Sequence, residues 1–223
     1  MASFVKTNSS DKKSLLDLAG GSGRLACLLA KNGYQVSLLD ISSQMLSIAE
    51  EHADEQNLKI NFYQDDMTDF FLNESFQTIT CFADSINYLP DKVSVKKTFA
   101  RVFDHLAAKG KFLFDIVTSH QINVGYRNFM YNNDDDPEKI FVWSSFPGEE
   151  KNSVDHDLKF FIYDKKLDAF RLYREVHHQI SYPIEFYQRT LLEAGFKNIK
   201  ISADFGRSKV KTNTDRVFFI AEK

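Results

Sequence analysis

Residues 14–52 hold the feature that most narrows what this chain can fold into. An apolar run is followed by a turn of very small residues, an amphipathic segment, and a second apolar run closed by an acid. Leu15, Leu16 and Leu18 supply the short hydrophobic stretch of a buried parallel strand, and Ala19-Gly20-Gly21-Ser22-Gly23 is a turn with little or no side chain. A backbone so bare can be approached closely by a ligand. Leu25, Leu28 and Leu29 then recur at helical spacing, Gly33 ends that helix, and Gln35 to Leu39 alternate into a second strand closed by Asp40. Ser42 or Ser43 is placed to cap a further helix with Met45, Ile48, Ala49 and His52 along one side.

The same alternation continues. Lys59–Tyr63 and Phe76–Phe82 read as a third and a fourth strand, Asp91 opens a helix striped with Val95, Phe99, Val102, Phe103 and Leu106, and Gly110 precedes a fifth strand over Phe112–Val117. Five strands separated by helices or helix-length loops specify a doubly wound, parallel sheet, whose ligands lie at the carboxyl ends of the strands. Asp17, Asp40, Asp66, Asp84 and Asp115 stand at or just past those ends. From Thr118 to Tyr182 the period changes. Asp134-Asp135-Asp136-Pro137 reads as a solvated turn, and Ile140–Phe146, Val154–Tyr163 and Ala169–Tyr182 as strands of an antiparallel insertion or cap. Pro183 starts a helix that Gly195 ends, and Phe196–Ala203 with Arg216–Ala221 form a strand pair at the sheet edge. Met1–Lys13 shows no periodicity and is read as a flexible leader before a single domain over residues 14–223, with residues 118–182 as its insertion.

Composition excludes several classes of function. With a net charge of -3, the chain lacks the electrostatic footprint of a protein that binds nucleic acid or an acidic membrane, and a small or neutral substrate is favoured. Cys27 and Cys81 fall inside a helix and a buried strand, as in a protein of a reducing compartment. With no signal peptide and no apolar run long enough to span a bilayer, the expectation is a cytoplasmic protein. The 21 Phe and 9 Tyr suit both core packing and an apolar pocket.

Two cofactors compete for the glycine turn. Gly21-x-Gly23-x-x-Ala26 matches the dinucleotide fingerprint, with Asp40 downstream to hold a ribose diol, which is the reading of an NAD-dependent oxidoreductase. Against it, Asp17 lies two residues ahead of the turn, where a pyrophosphate would meet a negative charge. S-adenosylmethionine has an ammonium and a sulfonium and no phosphate. Asp17 then faces the ammonium, Ala19 to Gly23 run beside the methionine tail, Asp40 takes both ribose hydroxyls, Asp66 accepts from the adenine amino group, and Met67 packs on the ring.

These motifs resemble those of class I S-adenosylmethionine-dependent methyltransferases, in particular the bacterial small-molecule type whose first motif reads like LDLACGTG. Leu16-Asp17-Leu18-Ala19-Gly20-Gly21-Ser22-Gly23 fills that motif, Leu39-Asp40-Ile41-Ser42 with Met45-Leu46 the second, Gln64-Asp65-Asp66-Met67 the adenine motif, and Cys81-Phe82-Ala83-Asp84-Ser85-Ile86-Asn87-Tyr88-Leu89 the one after the fourth strand. The resemblance implies a Rossmann-like, mostly parallel seven-stranded sheet and methyl transfer to a small molecule, with S-adenosylhomocysteine as the product. It implies cofactor contacts at Asp17, Ala19, Gly20, Gly21, Gly23, Leu39, Asp40, Ile41, Met45, Asp66, Met67, Phe82, Ala83 and Asp84. Similar enzymes place aromatic-containing helices ahead of the first strand to close over the cofactor. Here Met1–Lys13 stands in that position, so the expected lid is the insertion or a partner chain, a second copy included.

The acceptor and its base are not named by any motif. The candidates are Tyr88, Asn87 and His178, with Asp115, Tyr126, Tyr131 and His177 behind them. On a strand His177 and His178 point to opposite faces, so no shared metal ion is expected of them. Ala83-Asp84-Ser85 lacks the Asn/Asp-Pro-Pro-aromatic sequence of amino-directed DNA methyltransferases. The remaining alternative is a cofactor-binding protein without catalysis of its own that works through a partner.

Overall fold

The computed structural model describes residues 1–9 and 13–223. Among these are five α-helices and eleven β-strands, and the strands form two sheets. The strands β1 (Ser14–Leu18), β2 (Gln35–Asp40), β3 (Ile60–Gln64), β4 (Phe76–Cys81) and β5 (Leu106–Val117) are mutually parallel. The edge pair β10 (Lys197–Ser202) and β11 (Arg216–Glu222) joins antiparallel beside β5, giving the order β10-β11-β5-β4-β1-β2-β3. The order reverses between β1 and β4, so the crevice that an open α/β sheet offers a ligand lies at their carboxyl ends.

Helices cover both faces. α2 (Arg24–Lys31) and α3 (Ser43–Asp54) lie on one, with a buried cluster that includes Leu15, Leu29, Leu38 and Ala49. α4 (Lys92–His105) and α5 (Ile184–Ala194) lie on the other, over Phe99, Phe112, Phe114 and Phe219, where Phe114 and Phe219 stack at 4.6 Å. The caps follow the local chemistry. The Ser42 hydroxyl accepts from the Met45 amide, the Asp91 carboxylate from Ser94, and Gly195 closes α5 with φ 106°.

Four expectations are corrected. Residues Ala2–Asn8, read as part of a flexible leader, form helix α1, which buries Phe4 and Val5 and sets the Phe4 ring 5.5 Å from Phe218; Ser10, Asp11 and Lys12 lie outside the described residues. Leu28 faces outward, and α2 buries Ala26, Cys27 and Leu29 in its place. The inner side of α3 is Leu46, Ala49 and Ala53, whereas Met45 and Ile48 are exposed. Helical spacing alone did not decide between these overlapping stripes. Asp134, Asp135 and Asp136 belong to an additional strand, and the turn falls on Pro137 and Glu138.

That strand, β6 (Met130–Asp136), opens a second, antiparallel sheet with β7 (Lys139–Pro147), β8 (Ser153–Asp164) and β9 (Ala169–Ile180), in the order β6-β7-β8-β9. Asn87 ties it to the main sheet. Its Nδ2 donates to the carbonyls of Val117 and Ile180, at the ends of β5 and β9, and its Oδ1 accepts the Val117 amide. Among the described residues no helix is long and apolar enough to cross a membrane.

Because Asn87 is fully buried and its three bonds join three elements, Asn87→Ala is expected to cost about 3 kcal/mol of stability. Urea unfolding measures this, and an unchanged midpoint would show that the two sheets are held together elsewhere.

Candidate functional site

Two of the cavities along the carboxyl edge of the parallel sheet share Tyr88 as a wall. The first, of about 280 Å³, is bordered by Ala19, Leu39, Asp40 and Ile41 on the β1 and β2 side, by residues 65–68 after β3, and by Tyr88, Leu89, Pro90 and Ser94. Its inner rim is the small-residue turn. Gly21 has φ 54°, and a Cβ built there meets nothing within 4 Å, so this position faces open space; a Cβ on Gly23 would lie 2.8 Å from Ala49 Cβ, so the turn packs tightly on α3 behind. Ala19 also adopts a positive φ of 54°, a conformation unusual outside glycine.

Asp40 is preset. The Gly21 amide donates to its Oδ2 at 2.8 Å and the Ser42 amide to its Oδ1 at 2.9 Å, leaving each oxygen a further lone pair. Asp17 differs: it is buried within β1, and its Oδ1 accepts the Thr80 hydroxyl at 2.7 Å. Burial is the main cause that pushes its carboxyl up to about 6, the Thr80 bond opposes this, and the Asp40 charge adds to it. No salt bridge reaches Asp17 among the described residues, so a cation brought beside it would stabilise the ionised form. Asp66 uses Oδ1 to accept the Thr68 amide, at the cavity wall.

Of the predicted cofactor contacts, Ala19, Leu39, Asp40, Ile41, Asp66 and Met67 line this cavity. Gly20, Gly21 and Gly23 form the adjoining turn, while Met45 sits in the first turn of α3 and Phe82 is packed into the core near Phe4. Ala83 and Asp84 follow β4 as two successive residues with φ 59° and 54°, each at a cost of roughly 1–3 kcal/mol in a non-glycine residue. Such strain is retained where the surrounding structure imposes it, and here it launches the 3-10 turn Ser85–Tyr88 that lifts Tyr88 to the rim.

Tyr88 also borders the second cavity, of about 250 Å³, between the sheet edge and the antiparallel insertion. The insertion turns one face inward: Phe141 and Trp143 from β7, His156 and Leu158 from β8, and His177 and Gln179 from β9, each pair two residues apart. A polar chain runs beneath. The Trp143 indole N–H donates to His156 Nδ1 at 3.0 Å, and because that nitrogen accepts, the proton of the neutral imidazole sits on Nε2, which donates to Gln179 Oε1 at 3.1 Å. Gln179 Nε2 donates to Asp84 Oδ2, Arg216 Nη2 reaches Asp84 Oδ1 at 2.6 Å, and Arg216 Nη1 pairs with Asp115. Burial lowers the His156 pKa and raises that of Asp115, the latter against the pull of Arg216; burial followed by the Asp84 charge raises Tyr88 to about 12 and Tyr126 likewise upward.

The acceptor-side candidates are sorted by this geometry. Tyr88 and Tyr126 border the second cavity. Asn87 is withdrawn, because both amide hydrogens and the carbonyl oxygen are engaged by backbone. His178 is directed away, toward Asp155 at 2.7 Å and Glu150 at 3.5 Å, while its neighbour His177 faces the cavity, with Nδ1 3.1 Å from Tyr88 Oη and Nε2 2.9 Å from Glu175. Tyr131 is exposed on β6, its ring centroid 6.3 Å from that of Phe141, and Asp115 sits behind Arg216. Trp143, Gln179 and Arg216 are not singled out by the sequence, and His156 enters there only beside His177 and His178 as a metal-ligand set that strand geometry disfavours. The remaining signal there is the two-residue spacing within each strand.

Comparison with known proteins follows the same lines. A family model described as a methyltransferase domain matches residues 15–110, which span the turn, Asp40 and Tyr88. A methyltransferase-named protein of Geobacillus sp. (strain WCH70) is 36% identical over 211 residues, covering 95% of this chain and 85% of that one. YqeM of Bacillus subtilis (strain 168), also named as a methyltransferase, is 32% identical over 221 residues, covering 99% and 88%. The crystal structure of an S-adenosylmethionine-dependent methyltransferase from Clostridium acetobutylicum ATCC 824 superposes with a TM-score of 0.88 at 28% identity, covering 99% of this chain and 89% of that chain.

The state of Asp17 has a measurable consequence. Its folded pKa, about 6, lies above the unfolded value of 3.8, so its contribution to stability is full below the unfolded value and is lost as pH rises through about 6. Asp17→Asn keeps an acceptor for Thr80 and removes the charge. The variant is expected to be more stable than the parent by up to about 3 kcal/mol near pH 8 without ligand, with the gap shrinking toward acid. Urea unfolding as a function of pH checks this, and a variant of equal or lower stability near pH 8 would contradict the assignment of an ionised, uncompensated Asp17.

Proposed function

The chain belongs to the class I S-adenosylmethionine-dependent methyltransferases, and from that premise we propose that it methylates a small molecule seated in the second cavity. Membership sets aside both the dehydrogenase and the binding protein without catalysis. The observation that carries the proposal is Tyr88, a wall common to the two cavities, which puts a cofactor site and a second compartment of about 250 Å³ side by side.

The residues present fit the cofactor. Asp17 is a buried carboxylate in want of a cation, Asp40 is a preset acceptor pair, and Gly21 opens on unfilled space. On this reading Asp17 holds the ammonium, Asp40 the ribose hydroxyls, and Asp66 with Met67 the adenine, with Ala19 to Gly21 flanking the methionine portion. Once bound, S-adenosylmethionine supplies a methyl group already activated by its sulfonium. The protein's share is then alignment and exclusion of water, and alignment alone contributes on the order of 7–11 kcal/mol. Tyr88 orders the junction, Phe141 and Trp143 keep it apolar, and the insertion stands over it as the lid.

Incubation with methyl-tritiated S-adenosylmethionine and a metabolite extract is expected to move label into the small-molecule fraction. Label recovered in protein or nucleic acid would contradict the proposal. Asp40→Ala is expected to weaken binding of S-adenosylhomocysteine by about 2–4 kcal/mol through loss of its charged hydrogen bonds. Unchanged affinity by calorimetry would overturn the ribose assignment.

A further inference from the structure

The second cavity is aromatic and electronegative at once. Tyr88, Tyr126, Phe141 and Trp143 supply four rings. Arg216 has its guanidinium between Asp84 and Asp115, and Glu175 approaches from the other side through His177. His156 adds no positive charge, since its Nδ1 accepts the Trp143 N–H. Even with Asp115 protonated, the fixed groups leave no net positive charge, and an anionic ligand would have to compete with two carboxylates for Arg216. Ring faces and carboxylates together attract cations. A volume of about 250 Å³ falls just under the roughly 300–1,000 Å³ of pockets for drug-sized ligands, so the occupant is the size of one substituted ring.

We propose that the acceptor is a small ring-bearing amine, bound as its ammonium ion among these rings and methylated on nitrogen. This rests on the reading of the second cavity as the acceptor site. An ammonium must lose a proton before its nitrogen can attack. In its neutral form His177 donates Nε2–H to the Glu175 carboxylate, which leaves Nδ1 bare to accept the Tyr88 hydroxyl proton. The amine N–H breaks with its proton passing to Tyr88 Oη, while the original Tyr88 proton moves to His177 Nδ1. The freed lone pair then forms the N–C bond as the C–S bond breaks, and the sulfur keeps that electron pair. The imidazolium so formed lies beside Glu175 and across the strand pair from the neutral His156.

Trp143 is the single tryptophan of the chain, so its fluorescence reads this cavity directly. With the protein saturated by S-adenosylhomocysteine, benzylamine and benzyltrimethylammonium are expected to change the emission saturably, at least tenfold more tightly than benzyl alcohol, and benzoate to have no saturable effect. Phe141→Leu, checked for native circular dichroism, is expected to weaken both cations about fivefold and leave S-adenosylhomocysteine affinity unchanged. Benzoate or benzyl alcohol binding as tightly as benzylamine would overturn the proposal, as would the absence of a saturable change with every probe while S-adenosylhomocysteine still binds by calorimetry. Failure of S-adenosylhomocysteine itself to bind would overturn the cofactor reading beneath it.

Discussion

A carboxylate buried in the middle of a parallel sheet, with a threonine hydroxyl as its hydrogen-bond partner, is the constraint around which this protein is arranged. Asp17 is placed there because β1 runs between β2 and β4, and its register sets it opposite Leu38 on one side and Thr80 on the other. An ionised group in that position is costly without a counter-charge. The strand that carries it lies where the strand order reverses, the place at which an open α/β sheet offers its ligand crevice. The glycine turn and the preset Asp40 border the first cavity, and the strained Ala83-Asp84 pair sets Asp84 in the wall of the second.

The antiparallel insertion walls the second cavity and is built on a different principle. Its strands present every other residue inward, and a two-residue period is enough to gather Phe141, Trp143, His156, Leu158, His177 and Gln179 on one face. Asn87 fixes that face relative to the sheet through backbone groups of β5 and β9. Tyr88, next in sequence, is thereby held between the two compartments. The polar chain from Trp143 through His156 and Gln179 to Asp84 and Arg216 satisfies groups that would otherwise be buried without partners.

Much of this is legible in the sequence. The turn from Ala19 to Gly23, the acid ending β2, the five parallel strands and the closing strand pair follow from short-range periodicity and turn chemistry, and they recur as read. What was not legible depended on which face a segment turns to its neighbours. In α2 and α3 two apolar stripes overlap, and packing chose the one with Ala26 and Leu29 and the one with Leu46, Ala49 and Ala53. Alternation established that His177 and His178 oppose each other, and only the placement of β9 against Tyr88 selected His177. Asn87 and Tyr88 are adjacent on one turn, yet one is sealed in and the other lifted to the rim.

If Asp17 awaits a cation, ligand binding must change its protonation. Calorimetric titration with S-adenosylhomocysteine near pH 6, in buffers of different ionisation enthalpy, tests this most directly. With a free-state pKa of about 6, the account predicts release of roughly half a proton per ligand bound, falling toward zero near pH 8 and absent in Asp17→Asn. Binding with the same apparent enthalpy in every buffer near pH 6 would contradict it.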